Sequence, residues 1–80
     1  GLVKINGKTF VTPAPAGGMS TAERAYFVEG NLAAAYHNGH NKSAARAEGN
    51  TVMLGAQPIM TCVSGDESAQ TLVDRLNKIK

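Results

Sequence analysis

The chain contains no tryptophan, a single cysteine and only four other aromatic residues among its 80 positions. With one thiol, Cys62, no internal disulfide framework can form, so packing alone must hold the fold, and a reducing, cytoplasmic setting is the natural expectation. No apolar run approaches the roughly 18 residues a bilayer span requires, and the N-terminus lacks a basic-then-apolar leader pattern, so a soluble chain with no membrane partner is expected. Charge of one sign is also scarce. Eight Lys or Arg stand against six Asp or Glu, a net charge of +2, and the basic residues are scattered, which gives no electrostatic footprint for nucleic acid.

Catalytic patterns are missing as well. No Ser sits in an elbow or Ser-x-x-Lys context, no acidic pair has an acid and base setting, and Cys62 lies in an apolar strand where burial suppresses thiolate formation. A non-enzymatic protein without cofactors is therefore expected. His37 and His40 have a spacing that can put two imidazoles on one helical face, but no third ligand accompanies them, so no metal site is assigned. Together with Lys42 and Arg46 they form instead a candidate polar and basic patch suited to an acidic surface or a phosphate.

What is present reads as a small α+β domain. The apolar fraction is 42%, yet twelve of those residues are alanine, so the packing material is modest and a partner's cover would help. Residues 1–12 alternate apolar and polar around Asn6-Gly7, the pair that favours a type I′ hairpin turn, which gathers Val3, Ile5 and Phe10 on one face and leaves Lys4 and Thr9 on the other. Residues 13–19, PAPAGGM, read as a stiff Pro/Gly linker. Ser20-Thr21-Ala22-Glu23 matches a capping box, and a helix is predicted over 20–38, with Ala25, Val28, Leu32, Ala35 and Tyr36 inward, and Glu23, Arg24, Phe27 and Asn31 outward. The polar stretch 39–50 fits either a short helix or a loop.

Residues 51–64 predict a second hairpin, TVML and IMTCVS joined by the four-residue connection GAQP. This arrangement puts Val52, Leu54, Ile59, Thr61 and Val63 on one face and Met53, Met60 and Cys62 on the other. Two apolar faces need two covers. A last helix is predicted over 66–80, with Asp66 and Glu67 at its positive end and Ala69, Leu72, Val73, Leu76 and Ile79 along one face. The whole is expected to be a ββαββα domain, a four-stranded antiparallel sheet packed against two main helices.

The expected function is binding of another protein by a small accessory or inhibitory module, of the size carried by phages and mobile elements, acting by surface occupation as a homo-oligomer. Its candidate contact residues are Met53 and Met60, since methionine adapts to irregular partners, and Phe27 on the polar side of its helix. The alternative is a small-ligand binder that captures a phosphate or nucleotide with Gly17, Gly18, Ser20 and Thr21 at the helix start. That segment lacks the Gly-Lys-Ser/Thr ending and the GxGxxG spacing of known phosphate loops.

Overall fold

A computed structural model describes all of residues 1–80. Strands β1 (Val3–Ile5) and β2 (Lys8–Val11) form the first hairpin; α1 (Thr21–His37) and a 3-10 turn (His40–Lys42) follow; β3 (Ala45–Glu48), β4 (Thr51–Leu54) and β5 (Gln57–Thr61) make a meander; α2 (Ala69–Ile79) closes the chain. The α+β class stands, but there are two sheets, one of two strands and one of three in the order β3-β4-β5, all antiparallel, in place of a single four-stranded sheet.

Helix side chains occupy part of the strand edges at which the two hairpins could have merged. Arg75 of α2 donates to the Phe10 carbonyl at 2.8 Å. On β5, Asn31 donates to the Ile59 carbonyl at 2.9 Å and Arg24 to the Thr61 carbonyl at 3.2 Å. These two helix residues, expected to point outward, are turned onto the sheet edge instead. Their spacing of seven residues keeps them on one side of α1, and the carbonyls they meet are two residues apart, the repeat at which a strand presents its outer edge. The Asn77 side chain closes the other edge of that sheet, accepting from the Ala45 amide at 2.8 Å and donating to its carbonyl at 3.1 Å, as a neighbouring strand would.

Asn6 (φ 53°) and Gly7 (φ 77°) form the expected left-handed turn, and Ile5 pairs with Lys8. Past that point, strict alternation fails in both hairpins. In the first, the register slips so that Val3 faces Val11 and Phe10 is the extra residue; in the second, Val52 faces Met60, Met53 faces Pro58, and Ile59 is the extra residue. Each is a β-bulge, and each sends two consecutive side chains into the core, Phe10 with Val11 and Ile59 with Met60. The bulge carbonyls are the ones that Arg75 and Asn31 satisfy.

The bulge also overturns the predicted faces of the second hairpin. Its connection has two residues, Gly55-Ala56, and Pro58 sits inside edge strand β5. Val52, Leu54 and Ile59 are buried as expected, but Thr61 and Val63 are exposed, while Met60 and Cys62 join the core and Met53 is half-buried. The stretch 39–50 is neither simple helix nor loop: it supplies the 3-10 turn and β3, whose Ala45 is buried against the core.

The capping box is present, with the Ser20 hydroxyl accepting from the Glu23 amide and the Glu23 carboxylate accepting from the Ser20 amide. The helix runs through Gly30 without a break and buries Ala25, Val28, Leu32 and Ala35, whereas Tyr36 is 36% exposed. It packs on β5 and reaches β1; α2 packs on β3 and β4 and reaches β2, so each helix spans both sheets. The second helix begins later than expected, at Ala69 with Ser68 as its cap, because Asp66 and Glu67 have other partners.

Asp66 is the node of the fold. Its side chain is fully buried and accepts from the Ala14 amide at 2.8 Å, the Val63 amide at 2.9 Å and both terminal nitrogens of Arg24 at 3.0 and 2.9 Å. Arg24 also donates to the Ala14 carbonyl at 2.6 Å. The Pro/Gly segment is therefore docked at Ala14, with Pro13 buried beside it, and does not act as a free linker. Burial pushes the Asp66 carboxyl upward, but hydrogen bonds from Arg24, Ala14 and Val63 and the guanidinium charge outweigh it and hold the group below the usual aspartate range. Glu67 pairs with Arg75, whose hydrogen bonds hold that carboxyl low as well.

Candidate protein-contact surface

The outward side of α1 carries the two most exposed large apolar side chains of the molecule. At 100° per residue, Glu23, Tyr26, Gly30, Ala33 and His37 point away from the buried stripe, with Phe27 and Ala34 beside them. Tyr26 is 75% exposed and Phe27 61% exposed, and their rings meet edge to face with centroids 6.3 Å apart. Between Glu23 and His37 this side carries no charge except Glu29 at its margin. Arg24, the helix's only other charged residue, is drawn inward to Asp66. By contrast α2 is cleanly amphipathic: its outward residues include Gln70, Thr71, Asp74 and Lys78.

Gly30 stands at the middle of this surface. It has no left-handed φ, and a Cβ placed on it meets nothing within 4 Å. The chain's own fold thus does not require glycine there, although it costs about 1 kcal/mol of helix stability relative to alanine. Shallow grooves flank Phe27. One of about 240 Å³ runs between α1 and β5, floored by Ile59 and Met60; another of about 390 Å³ lies against Ala22, Glu23 and Tyr26.

The residues singled out from the sequence are dispersed. Phe27 is exposed, Met53 is half-buried in the middle of β4, and Met60 is only 7% exposed, so its own chain largely encloses it and leaves it no more than a share of the groove floor beside Phe27. The bulge at Ile59 is the reason. Gly17 and Gly18 take φ of 59° and 78° and make a tight turn closed by the Ala16 and Met19 backbones at 3.0 and 2.9 Å. At the helix start beyond them, Ser20 and Thr21 follow directly, but the Glu23 carboxylate already occupies the Ser20 amide and repels a second anion. Its carboxyl is held below the usual glutamate range by hydrogen bonds from the Ser20 backbone and side chain.

The polar patch is only partly assembled. His37 ends α1, and Gly39, at φ 78°, turns the chain before His40, so the two imidazoles do not share a helical face. His40 packs over Gly55, where a Cβ would lie 2.5 Å from Nδ1. Arg46 donates to the Gly55 carbonyl at 2.6 Å and pairs with Glu48, so its charge is locally neutralised. His37 and Lys42 are exposed and make no side-chain hydrogen bond. Cys62 is buried, and burial first, then the nearby Asp66 charge, pushes its thiol upward.

Tyr26 was not among the residues expected to matter, yet it is the most exposed large apolar side chain. The signal for it is the outer side of the helix taken as a whole: Ala22, Tyr26, Gly30 and Ala33 in place of the Lys and Glu of a solvated face. Comparison of the chain with protein-family models, with curated proteins and with solved structures returned no match.

Proposed function

We propose that this chain is a small, non-enzymatic protein-contact module that acts by occupying a surface, and that its working face is the outward side of α1. The observation that carries this reading is the pair Tyr26 and Phe27, stacked edge to face and largely exposed in the middle of an otherwise small and uncharged stripe. A single exposed aromatic is ordinary, but a continuous apolar patch with two adjacent rings is the composition of an interface core. Two rigid rings offer large contact area at low entropic cost, and the alanines and glycine beside them let another backbone come close. The contact face thus moves from the expected methionine side of the second hairpin to the helix, with Phe27 common to both.

The test is a photo-reactive phenylalanine analogue in place of Tyr26, irradiated in the cell that makes the protein, with the same analogue at exposed Gln70 on α2 as reference. The reading expects protein adducts at position 26 well above those at 70. Equal, trace yields at the two sites would defeat it.

A further inference from the structure

The outward face of α1 is complementary to itself when one copy is turned end for end, and we infer that its occupant is a second copy of this chain, docked antiparallel about a twofold axis beside Gly30. This rests on the reading of that face as a protein-contact surface and names what covers it. Residues equidistant from Gly30 pair across such an axis. Tyr26 meets Ala34 of the other copy, Phe27 meets Ala33, Glu23 meets His37, and Gly30 meets itself. Every large side chain therefore falls on a small one, and the two backbones come closest where there is no side chain.

A parallel arrangement would set Glu23 against Glu23 and Tyr26 against Tyr26, with like helix ends together. The antiparallel one places the Glu23 carboxylate beside an imidazole and the positive end of each helix beside the negative end of its neighbour. Exposed Gly30, which nothing within one copy requires, then has a purpose: it admits the second helix. The exposed parts of Tyr26 and Phe27 together supply on the order of 500 Å² over the two copies. With the flanking alanines the buried area comes to about 1,000 Å², the lower bound for a specific interface, which fits a reversible dimer of roughly micromolar to sub-millimolar affinity. Strand addition is the competing route to a dimer, but Asn77 already holds the Ala45 end of β3, Arg24 and Asn31 hold two carbonyls of β5, and β1 and β2 are only three and four residues long.

Sedimentation equilibrium of the full chain from about 1 µM to about 1 mM, a span set by that affinity range, tests the pairing, using wild type and Gly30→Gln. The wild type is expected to show a reversible monomer–dimer equilibrium. Gly30→Gln should weaken it at least tenfold, while the dilute variant melts no lower than wild type because glutamine meets no neighbour there. A wild type that stays monomeric throughout, or a variant that dimerises as well as wild type, overturns the proposal. A spin label on His37→Cys reports the orientation. The antiparallel pair predicts label separations above about 20 Å, from fourteen residues of helix rise, and a separation below about 12 Å overturns it. The photo-adducts at position 26 keep the two levels apart: adducts of twice the chain mass support the self-pairing, whereas adducts only to a different protein overturn it and leave the contact surface standing.

Discussion

Replacing Asp66 by alanine is the sharpest test of how this small fold holds together. The side chain accepts four hydrogen bonds, two of them from a guanidinium, and joins three segments far apart in sequence: Ala14 after the first hairpin, Arg24 on α1, and Val63 after β5. Removing one partner of a buried ion pair costs about 3–5 kcal/mol, because the other is left desolvated. Arg24 keeps the Ala14 and Thr61 carbonyls and is itself 12% exposed, which places the loss at the lower end, about 3 kcal/mol. For an 80-residue domain with a total stability of about 4–12 kcal/mol, that is a large share, and the melting temperature should fall by about 12–24 °C. Thermal and urea unfolding followed by circular dichroism would measure it. A double-mutant cycle with Arg24→Met should return a coupling of about 2 kcal/mol between the two side chains. Acid adds an independent reading. The native carboxyl is held below its unfolded value, so the unfolded chain takes up the proton first as pH falls. The contribution is complete above the unfolded aspartate pKa, near pH 4, and is lost as pH drops through the native one. Wild type should therefore lose stability in this window more steeply than Asp66→Ala. A melting temperature within 3 °C of wild type (about 0.5 kcal/mol), or superimposable acid limbs, would refute the clasp.

Three further outcomes follow from the packing. Gly55→Ala should cost about 2 kcal/mol, since Gly55 has φ 60° and its new methyl would strike the His40 ring, and urea denaturation gives the value. Asn77→Ala should cost about 1–2 kcal/mol and speed amide exchange at Ala45 specifically, leaving the β4 amides protected; uniform acceleration would argue against a local edge clamp. Native Cys62 should react with a thiol reagent only slowly at pH 8 and at the rate of a free thiol in urea, because burial both shields it and disfavours the thiolate.

Features with a local cause were legible in the sequence. Asn-Gly dictates the first turn, Ser-x-x-Glu the start of α1, and the 3.6-residue apolar period the buried face of α2. What escaped has a non-local cause. Ala-Arg-Ala-Glu has little intrinsic strand preference, and β3 exists because Ala45 finds the core on one side and Asn77 on its edge. Asp66 resembles a helix-start residue, but its partner lies 42 positions away on α1. The two bulges break the two-residue alternation on which face assignment rests, and this buried Met60.

Occupied sheet margins also govern how this chain behaves when crowded. A three-stranded meander with bare flanks could recruit copy after copy, each offering the next a fresh template, and such growth has no natural end. Here part of that margin is already taken: Arg24 and Asn31 hold the Thr61 and Ile59 carbonyls on β5, Asn77 holds the Ala45 amide and carbonyl on β3, and the stretch left beside Arg46 to Glu48 is brief and charged. Brief, partly engaged margins of this kind disfavour open-ended strand addition through the three-stranded sheet.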